Sequence, residues 1–282
     1  MSNAVLEAAS PGHGIAERLR AGSLLPYLGP GLAELAAAPV PTTHEELAAY
    51  LGARVALPRR ARGNCWAAAQ YIETHRHRRT LDGLMNDAYA PPVVPTILHR
   101  ALAKAAPPLI VDTWYDGAMR AALSGQVDWG EVQGTARAGV GEQRWYRTWN
   151  AAGAECPVAE AETWRTLLYK PHGTAAPGRN VLVADSDYVE VMTEIDIQTP
   201  LPDEVKRRRA GGGFLFLGCR FNDQMLRSYA RQIMKRSGGG HFALIGGMVL
   251  TRNERRFLDE QDVETLDMDL LELTRVLGGM GK

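Results

Sequence analysis

Short apolar runs alternate along this chain with longer stretches in which apolar residues recur every three or four positions, the pattern of strand–helix–strand units. The short runs predict strands at Leu24–Leu28, Pro108–Asp112, Leu167–Lys170, Phe214–Leu217, His241–Ile245 and Val263–Leu266. Most are apolar along their whole length, as strands of a parallel sheet covered on both faces must be. Pro26 sits inside the first run, which suits the start of a strand better than its middle. The helices carry their own punctuation. Thr43 with Glu46 three residues on reads as a capping box, opening a helix through Leu51. Thr96 caps a helix over Ile97–Ala106, which Pro107 and Pro108 end. Asn222 or Asp223 caps another from Met225 to Arg236, closed by Gly238–Gly240, and a last helix spans Met268–Leu277.

The predicted architecture is α/β: a Rossmann-like, doubly wound, mainly parallel sheet, with residues 1–282 forming one domain. The long helical stretch between the first two strands exceeds what one crossover helix needs. Residues 33–107 are therefore read as a helical module inserted into the sheet topology. The segment Gly125–Glu162 is weakly periodic and carries Trp129, Trp145 and Trp149, so it is expected to be a long loop that packs down onto the body.

Lysine plus arginine and aspartate plus glutamate each number 32, so the formal net charge is zero. That balance does not suit a surface built to neutralise nucleic-acid phosphates, and nucleic acid is not an expected partner. The apolar fraction of 45% suffices for a sizeable core. Three dispersed cysteines, Cys65, Cys156 and Cys219, make no disulfide framework and point to the reducing cytoplasm. No basic-then-apolar leader opens the chain. The run Phe242–Leu250 falls well short of the roughly 20 apolar residues of a membrane span, so no membrane is expected.

Four segments could carry chemistry, and each has a plain structural alternative. Gly29-Pro30-Gly31 follows the first strand, where glycines admit a ligand close to the backbone or simply make a tight turn. Asp112-Thr113-Trp114-Tyr115-Asp116 lies just past the second strand, where open α/β sheets bind ligands, although Thr113 or Asp116 could merely cap the next helix. His172-Gly173 follows the third, and histidine is the side chain best suited to proton transfer near neutral pH. Gly218-Cys219-Arg220-Phe221-Asn222-Asp223 joins a strand to a capped helix.

Taken in order, "PYLGPGL", "LIVDTWYDGAMRAAL", "LLYKPHGT" with "VLVADSDYVEVM", and "FLFLGCRFNDQMLRSYAR" resemble the sirtuin-like family, and most closely its divergent bacterial branch. The resemblance spans about Leu24 to Asp267. It implies an NAD-binding protein, with cleavage of the bond between nicotinamide and ribose as the associated activity. By that resemblance Gly29 and Gly31, with Pro30 between them, match the loop that binds the NAD pyrophosphate. His172 matches the catalytic histidine, the general base toward the nicotinamide ribose. Gly218 and Cys219, with Asn222 on the same turn, match the glycine turn at the adenosine half. Thr113 and Asp116 match the outer positions of the family's T-N-Y-D signature, Asp116 being counted with the catalytic residues.

Three departures qualify that picture. Trp114 stands where the signature has an asparagine, and an indole can only donate a hydrogen bond. The first loop lacks the serine that usually follows it. Between His172 and Gly218 there is no cysteine, so the four-ligand zinc module of the protein deacylases is missing and no metal is expected. The alternative function is a catalytically silent nucleotide-binding or scaffold protein in which Trp114 fills the nicotinamide pocket. A protein partner or a second copy of the chain remains open. The basic run Lys206–Arg209 reads as a solvated helix end.

Overall fold

The six apolar runs form six adjacent, parallel strands of one sheet. The structure, a computed structural model, describes residues 11–35, 38–136, 145–194 and 201–279. Those strands are β1 (Leu24–Leu28), β2 (Leu109–Asp112), β5 (Thr166–Lys170), β8 (Gly213–Leu217), β9 (His241–Leu244) and β10 (Val263–Leu266). The full order is β10-β9-β8-β1-β2-β5-β3-β4. The added edge pair is β3 (Trp129–Gly134), parallel to β5, and β4 (Tyr146–Asn150), antiparallel to β3. A small antiparallel pair, β6 (Gly173–Thr174) and β7 (Asn180–Val181), stands apart. The expected Rossmann-like α/β fold is the observed one.

Alternation along the strands sends side chains to two cores. Leu24, Leu28, Ile110, Leu168 and Leu215 pack under α1 (Pro11–Arg20), α5 (Ile97–Ala105), α6 (Ala118–Leu123) and α11 (Leu270–Gly279). Leu25, Tyr27, Val111, Tyr169, Phe214 and Phe216 meet the opposite layer. That layer holds α2 (His44–Arg54), α3 (Cys65–Arg76), α4 (Arg78–Ala88), α7 (Asp185–Glu194), α8 (Asp203–Arg209), α9 (Gln224–Met234) and α10 (Arg252–Glu260). Among the described residues no helix is long and apolar enough to cross a membrane.

Three local readings are corrected. The stretch around Trp129 and Trp149 is not a loop but supplies β3 and β4. Its outer part, 137–144, lies outside the described residues. The pattern hid β3 because Glu131 and Gln133 are buried polar residues, Gln133 donating to Glu131 and Arg120 pairing with Glu131. The basic run is a helix end, but half of it is buried. Arg208 pairs with Glu204 and donates to the carbonyls of Pro108, Ala161 and Trp164, while Arg209 donates to those of Gln232 and Ile233. Orphan carbonyls of the neighbouring segments draw these guanidinium groups inward, where five donors can satisfy several acceptors at once. At Thr43 the hydroxyl accepts from the Glu46 N–H at 3.0 Å, yet the Glu46 carboxylate turns back to the N–H and hydroxyl of Thr42.

Candidate functional site

β1 lies between β2 on one side and β8 on the other, and the chain builds the β2 side of the sheet before it crosses back to the β8 side. Such a switch point opens a crevice at the carboxyl ends of the strands. The register makes those ends level: Leu28 pairs with Asp112 of β2 and with Leu217 of β8. Gly29, Thr113 and Gly218 therefore emerge side by side.

Two of these turns interlock. The Gly31 N–H donates to the Gly218 carbonyl and the Gly29 N–H to that of Leu217, each at 2.9 Å. A Cβ on Gly29 would lie 2.4 Å from the Gly218 oxygen, and one on Gly218, whose φ is +62°, would lie 2.6 Å from the Leu32 nitrogen. The room left by these glycines is filled first by the protein's own backbone.

The Asp112–Asp116 loop is held from several sides. Both the N–H and the hydroxyl of Thr113 donate to the Leu28 carbonyl, at 3.0 and 2.8 Å. The hydroxyl is thus spent on β1 and caps no helix. The Asp116 carboxylate accepts from the Ala118 N–H at 2.8 Å, at the start of α6. Below the loop, Lys170 Nζ donates to Asp112 at 2.8 Å and to the Asp116 carbonyl at 2.9 Å. Burial pushes the Asp112 carboxyl up to about 6 even though Lys170 pulls against it.

This loop orients His172. Nδ1 of the imidazole lies 3.0 Å from the Thr113 carbonyl oxygen. A carbonyl can only accept, so Nδ1 carries the proton and Nε2 keeps its lone pair. Nε2 is buried and has no hydrogen-bond partner among the described residues. The ring is only 4% exposed and stands against Tyr229 and Tyr188, at centroid distances of 4.6 and 5.2 Å. Burial pushes its pKa down to about 3; the neighbouring His44 and Lys170 add to the drop and the Thr113 carbonyl opposes it. The imidazole is neutral at physiological pH.

Two cavities meet here. The larger, about 400 Å³, is lined by Pro30, Gly31, Thr42, Thr43, Gly218, Asn222 and residues beyond β9 and β10, among them Gly246 and Asp269. The smaller, about 20 Å³, lies against His172, Thr113, Gly29 and Tyr229. Pro30, His44, Cys219 and Arg220 line both. Of the residues singled out from the sequence, Gly29, Pro30, Gly31, Thr113, His172, Gly218, Cys219 and Asn222 converge on these spaces. Trp114 and Asp116 line neither. The Trp114 indole N–H donates to the Pro41 carbonyl at 2.9 Å, and its ring packs on His44, Tyr89 and Tyr115.

Asp223, not Asn222, caps α9, its carboxylate accepting from the Met225 N–H at 2.7 Å. Burial pushes the Cys219 thiol up, which leaves it a protonated lining group rather than a nucleophile. Sequence reasoning missed His44 and Arg220. His44 was hidden inside a capping sequence. Arg220, in a quoted segment, is gripped by the fully buried Glu254 at 2.8 and 2.9 Å. Burial alone would raise the Glu254 pKa, but the donors Arg220, Thr251 and Phe221 hold it at about 2.

The sequence model of the SIR2-like domain matches residues 108–266, more than half of the chain. The chain belongs to the SIR2-like family. The matched segment holds the Asp112–Asp116 loop, His172 and the Gly218–Asn222 turn, while the Gly29–Gly31 turn precedes it. No curated protein matches the chain. SIR2-like domains generally bind NAD, which makes this a sirtuin-like, NAD-related protein.

Proposed function

We propose that the SIR2-like chain binds NAD, or a closely related nucleotide, in the crevice between the β1 and β8 ends and cleaves the bond between nicotinamide and ribose. The observation that carries this reading is the bare Nε2 of His172. It is a buried lone pair on a neutral imidazole, held in one tautomer by the Thr113 carbonyl, on a residue that lines a cavity. An unsatisfied buried acceptor costs stability unless a ligand uses it. In the proposed chemistry Nε2 accepts a proton from a ribose hydroxyl, the ordinary work of a positioned general base. Pro30, Gly31, Gly218, Cys219 and Asn222 would hold the nucleotide, and the larger cavity falls within the usual range for a small-molecule site.

A second reading, a catalytically silent nucleotide binder, is favoured by one feature: the space beside His172 is only about 20 Å³. Calorimetric titration of the purified chain with NAD, paired with an assay for free nicotinamide, tests both. Binding with release is the expected result. Binding without release favours the silent reading, and a folded protein that does not bind NAD overturns the proposal.

A further inference from the structure

Four residues line both cavities, and these are not equally fixed. Pro30 and Cys219 belong to the interlocked turns, whose backbone leaves no slack. Arg220 is clamped bidentately by the buried Glu254 carboxylate. His44 is different. It is the first residue of α2, and no hydrogen bond to its ring is found among the described residues. Among the described residues its ring is held by packing, at 4.8 Å from Trp66 and 4.9 Å from Trp114. Directional bonds to charged groups resist displacement more than ring contacts do. The weakest part of the wall is therefore one imidazole. Burial pushes its pKa down to about 4, so the ring is neutral.

We propose that His44 is the specificity-determining partition of the cleft: in place, it confines a bound nucleotide to the larger cavity, and when it is displaced the ligand extends to His172. Only the identity of the ligand rests on the NAD reading; the partition itself does not. A nucleotide ending at its phosphates, such as ADP, fits on one side of the ring, whereas a dinucleotide must move it.

Diethyl pyrocarbonate, which acylates a neutral imidazole nitrogen, reports access to Nε2 of His172 when modified peptides are quantified by mass spectrometry. In the wild type His172 should react slowly. His44→Ala should speed its modification by about tenfold or more, since a buried group reacts through the open population, and His44→Phe, which keeps a ring in the wall, should stay slow. His99, a buried residue of α5, should stay slow throughout and so exclude general unfolding. The affinity for NAD relative to ADP should also rise in His44→Ala. Unchanged His172 modification in a folded His44→Ala protein, or equal acceleration in His44→Phe, overturns the partition. Failure of both NAD and ADP to bind overturns the nucleotide reading while the modification result still decides the role of His44.

Discussion

The Thr113 carbonyl that accepts from His172 belongs to the same loop as Trp114, yet the two side chains face different surroundings. His172 keeps a free acceptor beside a cavity, while the Trp114 indole gives its one donor to Pro41 and is otherwise enclosed by rings. In the alternative reading of the sequence the indole was a plug in the nicotinamide pocket, because it replaces an amide in the family signature. The structure turns it toward the α2–α4 side, where His44 meets its edge. Its removal should accordingly act on stability. Trp114→Ala is expected to cost about 3–5 kcal/mol, the usual range for a buried tryptophan truncated to alanine, read from urea unfolding. Trp114→Asn should likewise lower stability. A Trp114→Asn protein as stable as the wild type would contradict this placement.

At the scale of elements, the interlocked ends of β1 and β8 explain why two glycine turns lie far apart in sequence and side by side in space. The sequence left the first turn as either room for a ligand or a tight turn, and the Cβ positions show that the Gly218 backbone claims that room first. Gly29→Val is therefore expected to lower the melting temperature as well as weaken nucleotide binding, since overpacking against backbone costs about 1–3 kcal/mol or more. A variant that melts like the wild type and loses only binding would sink this account. Six strands were legible because uniform apolar runs leave few alternatives in a parallel sheet. The β3–β4 pair was not, because Glu131 and Gln133 break the apolar pattern and their burial depends on Arg120, a partner no local pattern reveals. Arg208 and Arg209 were misplaced for the same reason: their carbonyl acceptors come from segments distant in sequence. In the site, the glycine turns and His172 were legible as residues at strand ends. His44 was not, since nothing local distinguishes a cavity wall from a helix start.

Across the whole molecule, a sheet covered on both faces keeps ionisable groups away from water, and that sets a pH signature. His172, His44 and His99 have pKa values pushed by burial to about 3, 4 and 4, against about 6.5 in an unfolded chain. Below pH 6.5 the unfolded chain binds protons that these folded imidazoles refuse. Their stabilising contribution is full above that pH and is lost as pH falls through the window toward 4 for His44 and His99 and toward 3 for His172. Asp112, raised to about 6, has the opposite sign, contributing stability below its unfolded value that fades as pH rises to 6, so it offsets one imidazole in part. The melting temperature should be lower at pH 5 than at pH 7.5, and an equal or higher value at pH 5 would contradict the buried-neutral assignment. The central claim is narrower: one bare nitrogen of His172 performs proton transfer in an NAD crevice. The most direct test is the rate of nicotinamide release from NAD by the wild type and by His172→Ala, each verified as folded. The account predicts measurable release by the wild type and a loss of about a hundredfold or more in the variant, the usual worth of a positioned general base. Equal rates in the two proteins would contradict it.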